Sequence, residues 1–543
     1  MELSPSAHVD SFTRDHLPSP ELWPTLEFTL PELQYPDRLN AAEVLIDQSV
    51  EKFGAQRTAL LAPDGTSLSY GQLLKRANQV AQVLVEDYGL VPGNRVMLRG
   101  PNNAWLVACW LGVIKAGGVV VTTMAALRAA EISKLATLTG PVALITDHRF
   151  AEDALKASGG SYPVISYGGT SRDDLAQQAA GKSGEFAAVA TAADDVALLG
   201  PTSGTTGVPK ITMHFHRDIL ANADTFARYI LEPTKDDVFA GSPPLAFTFG
   251  LGGLVVFPFR FGASSLLTER ATPVQLAEQS HAAGATILFT APTAYRAILK
   301  NGKADLLRPL RVAVSAGEHL PADTWHHVRE ATGLELVNGI GSTEMLHVFV
   351  SAAGKDIKPG TTGKAIPGFR ATVLDAEGNE AAANEPGRLA VIGPTGCRYL
   401  NDPRQRNYVE SGWNITGDIF SRDEDGFFTY QARSDNMIVS SGYNIGGPEV
   451  EQALDQHPDV LENAVVARPD PNRGSIVCAF VVLVEGAEAD EAKTKELQDF
   501  VKATIAPYKY PREIRFVTEL PRNPSGKLQH FKLREAFNGS PVA

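Results

Sequence analysis

Between residues 104 and 335 the sequence alternates short apolar runs, rich in β-branched residues, with segments of helical periodicity, and this alternation constrains the fold more than any other feature. Val142-Ala143-Leu144-Ile145, Val196-Ala197-Leu198-Leu199, Thr286-Ile287-Leu288-Phe289 and Arg311-Val312-Ala313-Val314 read as buried strands. The helices between them carry end signals. Thr272-Pro273 is an N-cap followed by proline at the first helical position, and Gly284 closes that helix. Trp325, Val328 and Ala331 repeat at helical spacing after Pro321 until Gly333 stops them. Strands joined by helical crossovers imply right-handed βαβ units and a mostly parallel sheet flanked by helices, with ligands at the carboxyl ends of its strands.

Two apolar stretches need a separate reading. Residues 238–259 carry no charge, but Pro243, Pro244, Pro258, Gly250, Gly252 and Gly253 are expected to break a spanning helix repeatedly, which makes the stretch buried core and pocket wall. Residues 105–124 are split by Lys115 and by Gly117-Gly118, where a core helix ends and the strand Val119-Val120-Val121 begins. No membrane partner is expected. The amino-terminal residues 1–18 show no signal pattern, and Cys109, Cys397 and Cys478 have no spacing suited to a metal or disulfide framework, so a reducing cytoplasm is the expected compartment. Against 49 Lys and Arg stand 62 Asp and Glu, a net charge of -13 that argues against a nucleic-acid surface but leaves room for a local basic pocket.

A chain of 543 residues exceeds what one core usually supports. The texture changes around Asp435: beyond it lie a Gly-rich turn, a helix over 448–457 stopped by Pro458, a strand over 476–484, and an amphipathic helix carrying Leu497, Phe500, Val501 and Ile505. The expected division is a large α/β domain over 1–434 and a small α+β domain over 435–543, with the first forty residues wrapping the large domain as an extended arm.

The strongest chemical signal follows the strand at 196–200: Thr202-Ser203-Gly204-Thr205-Thr206-Gly207-Val208-Pro209-Lys210. Its glycines let backbone N–H groups turn inward, its hydroxyls add donors and Lys210 adds charge, a combination suited to a polyphosphate. Neither a P-loop spacing nor a G-x-G-x-x-G after a strand is present.

This string resembles the signature of the adenylate-forming (AMP-binding) superfamily of acyl-CoA synthetases, peptide-synthetase adenylation domains and luciferases. Further motifs follow in the family's order. Gly339-Ile340-Gly341-Ser342-Thr343-Glu344 resembles the segment whose Thr and Glu contact the α-phosphate and Mg²⁺, with Asn338 just ahead of it. Trp413-Asn414-Ile415-Thr416-Gly417-Asp418 resembles the segment whose aspartate holds the ribose hydroxyls. Arg433-Ser434-Asp435 resembles the interdomain hinge with its ribose-binding arginine, and Pro524-Ser525-Gly526-Lys527 the loop carrying the catalytic lysine. The resemblance implies the adenylate-forming fold, a large domain with mostly parallel sheets and a small carboxy-terminal α+β domain joined by a hinge. ATP, Mg²⁺ and coenzyme A are the implied cofactors and co-substrates. It also places adenine near Ser315-Ala316-Gly317-Glu318 and Tyr430, where a core tyrosine is the competing reading.

The residues make physical sense in those roles. A carboxylate attacking the α-phosphorus of ATP approaches a polyanion, and Lys527 would neutralise charge where it accumulates. Glu344 offers the hard oxygen that magnesium takes together with phosphates, and Asp418 can accept from both ribose hydroxyls.

Residues 244–253 read PLAFTFGLGG, without the buried carboxylate that an α-ammonium would require. Ala246, Phe247, Phe249 and Gly252 suit a flat ring in a slot. Residues 338–349, NGIGSTEMLHVF, are similar to those of benzoate–CoA and 2-aminobenzoate–CoA ligases, as is Asn444-Ile445-Gly446-Gly447-Pro448-Glu449, so an aryl carboxylate, with an ortho substituent, is the leading substrate. The pocket reading includes Ser315, Ala316, Ile340, Gly341 and His347, and His214 and His216 as strand neighbours facing one side, toward the acyl site. For the thiol step the resemblance assigns rotation about Asp435, a loop at Ser441-Gly442-Tyr443, and CoA phosphates met by Arg473 and Lys509. Ala432 in place of glycine, Val439 in place of lysine and a displaced Pro448 depart from the pattern on this side. An adenylating enzyme that loads a carrier protein is the alternative, and a homodimer is compatible with either reading.

Overall fold

The computed structural model describes residues 3–202, 208–433, 437–521, 528 and 530–538. Among these residues the strands form four sheets. The first runs Val164–Tyr167, Ala143–Asp147, Arg95–Arg99, Val119–Thr123, Val196–Thr202 and Lys210–Phe215, parallel throughout except for its last pair. The second contains nine strands, and its centre, Ser264–Leu266, Val238–Gly241, Ile287–Thr290, Val312–Ser315 and Leu336–Gly341, is parallel with antiparallel strands at both edges. The alternating pattern is divided between two largely parallel sheets, in keeping with the mostly parallel sheets of the implied fold, though the alternation alone did not apportion the strands. A strand pattern reports burial on two faces and not which sheet a strand joins. The largest apolar cluster draws on both sheets, with Val96 and Leu98 from one and Ile287 and Phe289 from the other.

The end signals act as read. Thr272 caps Pro273–Ala282 by accepting from the Gln275 N–H, and Gly333 takes a left-handed conformation after Ala322–Thr332. Ala104–Lys115 is a buried helix followed by the strand Val119–Thr123, and Lys115, fully buried, holds Asp47 at 2.5 Å. Residues 248–261 depart from expectation. They form one continuous helical run, Thr248–Leu251, Gly252–Val256 and Phe257–Phe261, whose middle is a wide π turn. Pro258 lacks the N–H that a regular helix would use, and the wider turn lies just ahead of it. No helix among the described residues is long and apolar enough to cross a membrane.

Arg370–Leu374, Gly387–Ile392, Val409–Glu410, Trp413–Arg422 and Phe428–Arg433 form an antiparallel sheet. Sheet membership then changes: Met437–Ser440 pairs with Tyr443–Gly446 and Gly474–Leu483 in a separate sheet that also holds Val460–Asp470 and Glu513–Phe516. The helices Gly447–Leu454 and Glu491–Thr504 contribute Val450, Leu454, Leu497 and Val501 to that sheet's own core. The amino-terminal segment lies along the large domain. Ser4 and Ala7 donate to Asp194 and Asp195, Arg14 pairs with both, and Leu26 bridges to Gly393.

Arg398 and Asp218, both with fully buried side chains, are ion-paired, and Arg398 also stacks on the Phe215 ring at 3.9 Å. Breaking such a pair from one side leaves a buried charge unmatched. Arg398→Met is expected to lower unfolding free energy by about 3–5 kcal/mol in urea titrations, and adding Asp218→Asn is expected to restore part of the loss.

Candidate active site

The strands Ile287–Thr290, Val312–Ser315 and Leu336–Gly341 pair in register, with Thr290 beside Ser315 and Ser315 beside Asn338. Their carboxyl ends open into a cavity of about 710 Å³. Of the residues expected at the site, Thr202, Ala246, Phe247, Ala316, Gly317, Gly341, Thr343, His347, Ser441, Gly442, Tyr443, Arg473 and Lys509 line it. Ser315 is fully buried behind this wall, and Ile340 packs against the core. Gly252 stands behind His347: a Cβ there would lie 2.4 Å from the imidazole, so only glycine lets helix and histidine approach. Gly339 similarly admits Val348.

His347 ends the pocket inside an aromatic cage, its ring 4.6 Å from Phe257, 5.4 Å from Phe226 and 5.6 Å from Phe249. The Phe249 backbone approaches it outside hydrogen-bonding geometry, and neither ring nitrogen has a hydrogen-bond partner among the described residues. Burial pushes its pKa down to about 3, so the imidazole is neutral at physiological pH, with one donor and one acceptor. His214 and His216 do not face the acyl site together. The strand Lys210–Phe215 ends before His216, which opens a helix and accepts from the Ala41 N–H, while His214 is fully buried against the Thr343 backbone.

The phosphate side is charged. Lys210 donates to the Tyr399 hydroxyl at 2.8 Å, Tyr399 donates to Glu344 Oε1 at 2.6 Å, and Lys210 lies 3.4 Å from the same oxygen. Tyr408 packs edge-on against Tyr399 at 5.8 Å and lies within 3.2 Å of the Ser342 hydroxyl. Sequence reasoning missed both tyrosines: Tyr399 is 55 residues from Glu344 and follows no spacing rule. Glu344, a buried carboxylate next in sequence to the cavity-lining Thr343, offers with it hard oxygen donors of the kind that fit Mg²⁺ chelated by phosphates. Ser203, Gly204, Thr205, Thr206, Gly207, Asp435 and Lys527 lie outside the described residues, as does the Arg433 side chain.

Asp418 is buried and pairs across the antiparallel sheet with the backbone of Arg433, so the two residues assigned to ribose share one sheet position. Asn338 donates to the Thr361 carbonyl. Glu318 accepts from the Thr293 N–H and hydroxyl, and burial raises its pKa against those bonds. Tyr430 stacks on His319 at 5.3 Å and meets Phe420 edge-on, so its ring belongs at least in part to packing.

Gly442 brings its backbone within 3.9 Å of where a Gly317 side chain would stand; both glycines have positive φ, +82° and +84°. The loop of the small domain thus enters the site between Gly317 and Ala291. Arg473 braces it, donating to the Ser441 hydroxyl at 3.3 Å, and Tyr443 faces Phe247 at 6.2 Å. Lys509 is not free for a phosphate in this arrangement. Its ammonium binds Glu131 of the large domain at 2.9 Å and Glu449 of the small domain at 2.8 Å. Burial works against its charge, but Tyr508, Glu449 and Glu131 hold its pKa above the ordinary lysine value.

The chain belongs to the AMP-binding enzyme family: residues 46–398 match the AMP-binding enzyme model and residues 449–527 the AMP-binding enzyme C-terminal domain. It is 36% identical over 520 residues to the benzoate–CoA ligase of Thauera aromatica, covering 94% of this chain and 98% of that one. Among solved structures it resembles the anthranilate CoA ligase AuaEII in complex with anthranoyl-AMP (TM-score 0.72, 32% identity, 93% and 99% of the two chains). It also resembles the amide bond synthetase McbA from Marinactinospora thermotolerans (TM-score 0.82, 26% identity, 92% and 100%). The adenylate-forming superfamily and its fold, expected from the motifs, are thereby established.

His214, His216 and His347 share one linkage. Each folded pKa, about 3, lies below the ordinary 6.5, so the unfolded chain binds more protons between those values and stability falls as pH drops through that window. Between pH 7 and pH 5 each is expected to remove about 2 kcal/mol of unfolding free energy. Urea unfolding at the two pH values measures this, and His347→Leu is expected to show a pH dependence smaller by about that amount.

Proposed function

We propose that this protein is an AMP-forming aryl acid–CoA ligase of the benzoate type, acting on 2-aminobenzoate or another ortho-substituted benzoate. It joins the acid to AMP with release of pyrophosphate, then passes the acyl group to the thiol of CoA and releases AMP. The observation that carries this reading is the cavity itself, a slot walled by Phe247 and Phe249, closed by His347, and lined also by Pro209, Ser342 and Thr343, next in sequence to the Lys210 and Glu344 that meet at Tyr399. Its volume lies in the range of small-molecule sites. A flat ring meets aromatic walls with no buried charge to satisfy, and the neutral imidazole at the far end supplies the one polar contact an amino or hydroxyl substituent needs.

Each residue then has a task. The Thr202–Lys210 loop cradles the phosphates, Asp418 and Arg433 hold the ribose, and Gly317 and Tyr430 border adenine. Glu344 with Thr343 would hold Mg²⁺, which shields phosphate charge when bound. Lys527 brings positive charge to the α-phosphate as the carboxylate attacks. We place the domain boundary at Asp435, where sheet membership changes, and read the Ser441-Gly442-Tyr443 loop in the cavity as the arrangement for thioester formation. Buried free cysteines fit a reducing cytoplasm.

Supplying benzoate, 2-aminobenzoate, salicylate and short fatty acids with ATP and CoA, and measuring AMP together with thioester, tests the reading. Equal amounts of AMP and aryl thioester are expected. Preference for a fatty acid would refute the aryl assignment, and acyl-adenylate that accumulates in the presence of CoA would assign the acceptor to a carrier protein instead.

Lys527→Ala is expected to slow adenylation by roughly 10²-fold or more while thioester formation from supplied aryl adenylate stays within about twofold. Assaying the two half-reactions separately distinguishes this from a general loss, which would slow both equally.

A further inference from the structure

We propose that Tyr399 is a positioning residue for adenylation: its hydroxyl accepts from Lys210 and donates to Glu344, and so sets where the phosphate-binding ammonium and the metal-binding carboxylate stand. This rests on the adenylating reading above and assigns a residue to which neither the motifs nor that reading gave a role.

The argument begins with how tightly the ring is fixed. Tyr399 is fully buried. Its backbone N–H donates to Gln405 Oε1 at 2.8 Å, and its backbone bridges to Thr212 in the strand that begins at Lys210. Its neighbour Arg398 is locked to Asp218 inside the core. Tyr408 lies edge-on against the ring. The hydroxyl's position is therefore set by backbone and packing, independently of the two charged side chains that meet it.

Those side chains lack such constraint. Lys210 reaches the hydroxyl on a flexible stem, and its side chain is 20% exposed. An ammonium and a carboxylate this close gain by collapsing into a direct pair, which would spend both on each other. Here the direct contact, at 3.4 Å, is longer than either hydrogen bond to the phenol, which orders the three groups by valence. The phenol has one hydrogen to give and lone pairs to receive, the ammonium has no lone pair, and the carboxylate has no hydrogen, so the order Lys210 to Tyr399 to Glu344 cannot be reversed. Both contacts to Glu344 fall on Oε1, so neither spends Oε2. The chain of two hydrogen bonds also links the phosphate loop's strand to the segment carrying Thr343 and Glu344.

Tyr399→Phe deletes only the hydroxyl and keeps the ring. Tyr70→Phe is the control: Tyr70 is equally buried, its hydroxyl donates to the Ala263 carbonyl at 2.7 Å, and it is not among the residues lining the site. Two readouts are taken, calorimetric affinity for ATP with Mg²⁺ and with chelator, and the separate rates of adenylation and of thioester formation from supplied aryl adenylate. In Tyr399→Phe the gain in ATP affinity on adding Mg²⁺ is expected to shrink at least about threefold, and adenylation to slow about 10- to 100-fold, the worth of one hydrogen bond to a charged group. Thioester formation is expected to change less than about twofold, and Tyr70→Phe to leave every value near wild type. An unchanged Mg²⁺ effect with unchanged adenylation overturns the proposal. So does the same loss in Tyr70→Phe, or a collapse of the fold confined to Tyr399→Phe, either of which assigns the hydroxyl to stability. If the wild-type enzyme releases no pyrophosphate with any acid, the adenylating reading fails, while the ATP affinities still decide the role of Tyr399.

Discussion

Three parallel strands in register hold the site together. Because Thr290, Ser315 and Asn338 stand side by side, residues that follow them at the same edge of the sheet, Ala291, Ala316-Gly317 and Gly341 to Thr343, face one cavity. The strands are buried in the sheet's interior, where a shift of one residue would send apolar side chains to the wrong face, so the register resists slipping. Each later feature is hung on that edge. Gly317, at positive φ, lies against Gly442, the aromatic wall meets the strand Ile287–Thr290 through Phe249 and Phe289, and Glu344 emerges close enough to reach Tyr399.

On this frame the two ends of the cavity have opposite character. The acyl end is walled by aromatic rings and carries the neutral side chain of His347, kept uncharged by burial among the same phenylalanines that shape the slot. The nucleotide end is polar and charged. A protein of net charge -13 gains nothing for ATP from its overall field, so attraction for a polyanion must be local. Lys210, which follows the cavity-lining Pro209, is engaged with a tyrosine and a glutamate. At the rim, Lys509 bridges Glu131 and Glu449, so one buried cation ties the large domain to the small one.

Much of this was legible in the sequence because it depends on neighbours close in the chain. Helix ends such as Thr272-Pro273 and Gly333 are local chemistry, and the motif around Thr343 and Glu344 is a contiguous string. What escaped depends on partners far apart. Nothing in a strand's own residues says which of two parallel sheets it joins. His214 and His216 look like alternating strand residues until a helix begins between them. The helix over 248–261 survives its glycines because a π turn and close approach by His347 and Phe289 replace what the missing side chains would supply. Lys509 reads as an exposed cation, yet its carboxylate partner Glu131 lies 378 residues away. Tyr399 carries no motif at all, and only the fold brings it to Glu344.

The central claim is that the carboxylate of an aryl acid attacks the α-phosphorus of ATP. Turnover with carboxyl-¹⁸O-labelled 2-aminobenzoate or benzoate, followed by mass spectrometry of the nucleotide product, tests it most directly. The account predicts one labelled oxygen in AMP and none in pyrophosphate. Label in inorganic phosphate with ADP as the nucleotide product, or unlabelled AMP, would contradict it.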